Sequence, residues 1–269
     1  YSDMGGVVEE FIAGTGKHSQ FPETRQLLDE ADGVPDLGVE WALQSSVGVE
    51  QALGGWGSLE VTAFWNELYD LVSGREDSFR FFTGPPPVGP FDTDPYANDG
   101  HGRSLGLETL TRFDTDRMVA QIAVTLSRSI RTDRPDDDPE LFRYDQPVTI
   151  NALASRDMGN GWRLGSRVRA TSGYAYTPVV NRYYELDSRT FVPVYGERDS
   201  KRLPPFFSLD IRVDRKWERR WGDLTAYLDL QNATNTTNPE VMTWTYDYGE
   251  EEPVTSNPLL PAIGVRAQW

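Results

Sequence analysis

The chain has no cysteine among its 269 residues and only two histidines, His18 and His101. Without thiols there are no disulfides and no thiolate metal sites. Two histidines leave acid–base catalysis one local pairing, Asp99 with His101, and sequence neighbours rarely form a working dyad. The chain therefore reads as no enzyme. Long apolar runs are missing too: nothing approaches the roughly 20 residues of a membrane helix. Basic residues are scarce, 26 against 42 acidic for a net charge of -16, which argues against a nucleic-acid partner. Mean hydropathy is -0.54. On these absences the chain resembles an acidic soluble domain, except that a β-barrel exposes only alternate residues to lipid and tolerates the same composition.

What is present is β patterning. Aromatics make up 12% of the chain, with 24 glycines and 18 prolines, a turn-rich β composition. The last segment alternates Ile263, Val265, Ala267 and Trp269 with Ala262, Gly264, Arg266 and Gln268, as a strand does when its faces meet different media. The same period marks 56–71, 117–129, 161–172, 205–217 and 221–231. It is weaker in 38–51, 103–113 and 146–157, and weakest in 5–14. That predicts about ten strands, each near the ~9–11 residues needed to cross a bilayer. One helix is expected, over 23–31 between Pro22 and Pro35.

The connections alternate in length. Tight turns at 53–56, 114–116, 158–161 and 218–220 are interleaved with long stretches at 15–36, 72–102, 130–145, 175–204 and 236–257. This is the asymmetry of an outer-membrane barrel, with short periplasmic turns and long extracellular loops. The fold expected is all-β, an antiparallel transmembrane β-barrel with about ten strands present. Arg163, Arg167, Arg169, Arg212 and Arg266 then fall on the polar face and line the lumen.

Several segments resemble TonB-dependent outer-membrane receptors: Leu203-Pro204-Pro205-Phe206-Phe207-Ser208-Leu209-Asp210-Ile211-Arg212, Ala226-Tyr227-Leu228-Asp229-Leu230-Gln231-Asn232-Ala233-Thr234-Asn235, Gly102-Arg103-Ser104-Leu105-Gly106-Leu107-Glu108, and Leu260-Pro261-Ala262-Ile263-Gly264-Val265-Arg266. The resemblance implies a barrel of about 22 strands with an N-terminal plug inside. Residues 1–269 would be the C-terminal portion of such a partial barrel, without plug or TonB box. The implied function is uptake of a scarce ligand such as a ferric siderophore in the bacterial outer membrane. The implied partners are outer-membrane lipid, the plug of the same receptor, TonB through the missing N-terminal part, and a small-molecule ligand. The five lumen arginines would hold the plug, or be solvated lumen charge. The alternative is a small autonomous barrel acting as a passive pore or surface-binding structure.

Aromatic residues crowd the expected loops. Phe81, Phe82, Tyr183, Trp244 and Tyr246 are the candidate ligand contacts, whereas Tyr174 and Tyr176 fit an upper aromatic girdle. The acidic runs 136–138 and 250–252 read as solvated loop charge, since consecutive carboxylates cannot converge on one ion. No cofactor and no metal site is expected.

Overall fold

In the computed structural model, residues 8–28, 33–74 and 96–269 are described. In chain order the elements are β1 (Val8–Gln20), a short helix α1 (Thr24–Leu28), β2 (Glu40–Ala52), β3 (Gly57–Gly74), β4 (Tyr96–Thr115), β5 (Met118–Thr132), β6 (Glu140–Leu141), β7 (Val148–Gly159) and β8 (Trp162–Thr171). They continue as β9 (Ala175–Tyr176), β10 (Val179–Glu185), β11 (Thr190–Tyr195), β12 (Lys201–Arg202), β13 (Phe206–Arg219), β14 (Gly222–Gln231), β15 (Pro239–Trp244), β16 (Glu251–Thr255) and β17 (Leu260–Gln268).

Ten long strands form one antiparallel wall in the order β1-β2-β3-β4-β5-β7-β8-β13-β14-β17. The ten expected strands are all present, several of them longer than the alternation marked. The first, expected over 5–14, continues to Gln20, with residues 5–7 outside the described residues, and β4 is already paired at Tyr96, ahead of the expected 103. Above the membrane both faces of a strand meet water or other loops, so the alternation fades while the pairing continues. The helix is described over Thr24–Leu28, and residues 29–31 of the expected helix lie outside the described residues. Two stretches read as plain connections contain hairpins of their own, β10–β11 and β15–β16.

Register fixes the faces. Arg163, Arg167 and Arg169 of β8 stand opposite Asp214, Asp210 and Ser208 of β13, and Arg212 stands opposite Asp229 of β14. The other face of these strands presents Leu164, Val168, Leu209, Val213, Leu228 and Val265. Those side chains are exposed or half-exposed, Leu164 by 42% and Leu228 by 40%, and on β17 Ile263 reaches 81% and Val265 68%. An apolar face of this extent is stable only against an apolar medium, and hydrogen-bonded strands cross one because their backbone groups are satisfied internally. The sheet is open, with β1 and β17 as its end strands.

Aromatic residues mark both boundaries of the apolar band, where amphipathic rings favour the interface. At the tight-turn end Trp56 stacks on Phe113 at 5.4 Å, and Trp162, Trp217 and Trp269 stand at the same rim. At the loop end Trp41 stacks on Tyr69 at 4.1 Å. The β7–β8 turn strings together Gly159, Asn160 and Gly161, all at positive φ. A Cβ on Gly161 would meet the Lys216 carbonyl oxygen, so the φ of +78° and the close approach both require glycine there.

Candidate functional site: the extracellular vestibule and the lumen wall

The strands end in loops that are tied to one another by buried polar groups. Asp145, 1% exposed, lies in the β6–β7 connection and accepts the Ser129 backbone N–H at 2.6 Å. Arg202 of β12 donates to its carboxylate and, at 2.6 Å, to its carbonyl oxygen. The same guanidinium reaches the Gly173 carbonyl at 3.2 Å. One side chain thus seats the segment between β8 and β13 on the rim of the wall.

A second tie lies beside it. Arg198 donates to Asp133 just above β5, and Arg131 donates to the other oxygen of Asp133 at 2.5 Å and to the Val72 carbonyl at 2.8 Å. Burial pushes the Asp133 carboxyl up, but the hydrogen bond from Arg198 and the charges of Arg131 and Arg198 outweigh it and hold it below the usual carboxylate value.

Asparagines stitch the last loop. Asn238, 1% exposed, accepts the Phe207 N–H at 2.8 Å and donates to the Phe207 carbonyl at 2.9 Å, standing in for a strand neighbour. Asn232 accepts the Thr236 N–H at 3.0 Å and donates to the Thr236 carbonyl at 2.9 Å. Asn235 accepts the Leu259 N–H at 2.9 Å, guiding the chain into β17. The asparagines of the strand-ending motif therefore shape a loop and reach for no ligand.

These ties enclose a vestibule of about 610 Å³, lined by Tyr144, Tyr174, Tyr176, Tyr195 and Trp244 together with Arg143, Arg198 and Glu240. Tyr144 and Tyr174 meet edge to face at 5.7 Å, and Tyr176 and Trp244 lie 6.5 Å apart. The Trp244 indole N–H is buried without a hydrogen-bond acceptor among the described residues. The Tyr176 hydroxyl donates to Glu251 at 3.3 Å, and Lys201 pairs with the same carboxylate at 3.3 Å. Burial, then the Glu251 charge, raise the Tyr176 hydroxyl pKa; burial, then Tyr248, raise that of Tyr195. Both phenols stay protonated at neutral pH; the Tyr176 O–H is spent on Glu251, whereas that of Tyr195 can donate to an anionic or oxygen-rich guest.

Of the five candidate ligand contacts, Trp244 lines this vestibule. Tyr246 stands outside it, 74% exposed, and meets Phe191 edge to face at 6.2 Å; Phe191 in turn packs on Tyr184. Tyr183 lies on the opposite face of β10 from Tyr184. Phe81 and Phe82 lie outside the described residues. Tyr174 and Tyr176, expected in an upper aromatic girdle, sit above the wall and line the vestibule. Tyr144, Tyr195, Arg143 and Arg198 escaped the sequence reading because their convergence depends on the Asp145–Arg202 and Asp133–Arg198 pairs.

Below the vestibule the polar face forms a lumen groove of about 830 Å³. Arg163, Arg167, Arg212 and Arg266 line it with Asp157, Asp210, Asp214, Lys216 and Asp229. Arg212 is committed within the wall, 3.0 Å from Asp214, 3.9 Å from Asp229 and over the Tyr227 ring at 4.0 Å. Arg167 approaches Asp210 at 3.4 Å. Arg169 caps the Phe206 ring at 5.0 Å, higher on the strand. Arg163 and Arg266 make no ion pair among the described residues.

Comparison with known proteins places this geometry. The model of the family described as TonB dependent receptor-like, beta-barrel, matches residues 12–233. No curated protein matches the chain. Among solved structures, the ferripyoverdine receptor of the Pseudomonas aeruginosa outer membrane is similar with a TM-score of 0.62 at 11% identity, over 95% of this chain and 30% of that one. The FrpB iron transporter from Neisseria meningitidis is similar with a TM-score of 0.60 at 15% identity, over 95% of this chain and 36% of that one. The outer membrane transporter YddB from Escherichia coli gives a TM-score of 0.53 at 12% identity, over 86% and 32%. The chain spans about a third of the length of these structures, and at such identities the likeness shows the fold.

Proposed function

Because the chain belongs to the TonB-dependent receptor β-barrel family and lies in the bacterial outer membrane, we propose that it is the C-terminal portion of a receptor importing a scarce small-molecule ligand, such as a ferric siderophore, by TonB-coupled uptake. The observation that carries this reading is the vestibule. Four tyrosines and a tryptophan converge above a polar lumen, with arginines at the edge and one buried indole N–H lacking an acceptor among the described residues. Aromatic faces bind a planar or apolar ligand body, while phenol, indole and guanidinium donors suit the oxygen atoms of an iron chelate. Two of the similar structures are an iron transporter and a ferripyoverdine receptor, which supports an iron chelate as the ligand class.

In this reading a plug domain of the same receptor occupies the lumen, and TonB acts on residues outside this chain. Arg163 and Arg266 are the wall residues with guanidinium groups to spare for plug carboxylates, while Arg167 and Arg212 keep wall partners. Candidate ligand contacts are Trp244 with Tyr144, Tyr174, Tyr176 and Tyr195; Tyr183 and Tyr246 belong to the outer loop surface.

The test is titration of the full-length receptor with a panel of ferric siderophores while following tryptophan fluorescence. A cognate chelate should quench the signal, and Trp244→Phe should reduce both the quench and the affinity, the latter by about tenfold for one lost buried hydrogen bond. Unaltered affinity in Trp244→Phe and Tyr176→Ala would remove the vestibule from the binding path.

A further inference from the structure

The lipid-facing side of the wall carries charge only near its two rims. Outward positions between them, such as Leu107, Val124, Val168, Leu228 and Val265, are uncharged. At the rim nearest the tight turns, Arg215 lies over Trp162 at 5.0 Å and Trp217 at 5.7 Å and donates to the Asn160 carbonyl. Its charge is satisfied inside the protein. At the rim beneath the loops the arrangement differs.

There, register places Arg103 of β4 opposite Ile130, and Arg128 of β5 opposite Leu105. The two arginines are thus diagonal neighbours on the same outward face, about 7–8 Å apart at the backbone. Arg103 spends its Nε on Glu67 at 2.6 Å and lies over Trp65 at 4.8 Å, and its terminal nitrogens make no hydrogen bond among the described residues. Glu67 is already shared, because it also accepts the Trp65 indole N–H at 2.8 Å. The nearby Asp70 is taken by the Trp41 indole at 2.8 Å. Arg128 is exposed and has no hydrogen bond or ion pair among the described residues.

Two adjacent guanidinium groups, one of them without an acidic partner among the described residues, repel each other at the edge of a low-dielectric band where solvent screening is weak. The medium there is the lipid headgroup layer. A phosphate offers paired oxygens that the planar fork of an arginine matches, and an acyl chain below it would lie along Leu105, Leu107 and Leu126. We propose that Arg103 and Arg128 form a binding site on the outer wall for a phosphorylated lipid headgroup of the outer leaflet. Trp65 forms its floor, and Glu67 orients Arg103. The site is independent of the ligand taken by the vestibule.

Native mass spectrometry of the full-length protein, released from mild detergent with bis-phosphorylated lipid A added, tests this. One lipid should be retained. Arg103→Gln/Arg128→Gln should weaken retention by about tenfold or more, as expected for lost charge-assisted hydrogen bonds. Lipid A stripped of phosphate should be retained no better by the wild type than by the variant. Arg156→Gln, removing a solitary outward cation at the opposite rim, should change nothing. Heat-modifiable gel migration confirms the fold of each variant. Should the double variant fail to fold, Arg128→Gln alone carries the test, since its side chain supports nothing within the wall. Equal retention by wild type and variant, or of lipid with and without phosphate, overturns the site. Displacement by inorganic phosphate at millimolar concentration overturns the lipid as occupant in favour of a soluble anion.

Discussion

Arg202 closes on Asp145 across 57 residues of sequence, and through that single contact the segment between β8 and β13 is fastened to the tip of β5. The carboxylate is fully buried, and its two oxygens are divided between a backbone N–H and the guanidinium. Removing one partner of such a pair leaves the other charge buried and costs about 3–5 kcal/mol. In Asp145→Asn or Arg202→Gln, the amides of Ala175 and Leu203, which donate to Arg143 and Tyr174, should lose hydrogen-exchange protection while the amides of the wall keep theirs. Unchanged exchange at both would show that the loop is held by its aromatic contacts instead.

The Asp133–Arg198 tie should be insensitive to mild acid. A carboxylate whose folded pKa is depressed stabilises the folded state fully above its unfolded value of about 3.9, and that stabilisation is lost as pH falls through the lower folded value. Exchange at Gly196 and Asp199, corrected for intrinsic rates, should therefore stay flat from neutrality to pH 5 and rise only below the ordinary value of 3.8. Asp133→Asn should show the loosened behaviour at every pH. A rise centred near pH 6 would point to a different group.

Close packing on the lumen side gives a third prediction. The Tyr227 ring lies across Gly264, and a Cβ there would overlap it, while Arg212 covers the other side of the ring at 4.0 Å. Gly264→Ala should destabilise by about 1–3 kcal/mol through overpacking, measured as a lower denaturation midpoint in detergent. Tyr227→Ala on that background should recover part of the loss. No recovery would mean that backbone conformation, not the ring, excludes the methyl group.

Ile122 and Thr125 separate the two media. Ile122 faces outward, 41% exposed, and an arginine there should cost about 2–4 kcal/mol near the bilayer midplane. Thr125 stands opposite Glu108 on the lumen face, where an arginine gains a carboxylate neighbour and should be nearly neutral. Unfolding in lipid vesicles compares the two directly; equal penalties would contradict the assignment of faces.

Much of this protein was legible from its sequence. Period-two alternation needs only a strand between unlike media, so Leu224 to Leu230 on one side and Thr225 to Gln231 on the other reveal both strand and face. The rhythm of tight turns and long connections revealed strand order, because antiparallel neighbours joined by short turns have no other option. The resemblance in the segments ending at Arg212, Asn235 and Arg266 pointed to the family. Strand ends were less clear where alternation dies out above the membrane, as in the first seven residues of β4.

Which loop residues share a site was decided by tertiary structure alone. Tyr144, Tyr174, Tyr195 and Trp244 come from three separate connections of the wall, and no local periodicity links them. They meet because Asp145, buried, and Asp133, half-buried, are carboxylates that must find arginines, and Arg202 and Arg198 lie within reach only once the wall is folded. The pairing of Arg103 with Arg128 has the same origin: their nearness is a matter of register between β4 and β5. Sequence determines the faces of each strand because the two media act on every residue locally; the sites arise from long-range electrostatic and packing constraints that exist only in the assembled wall.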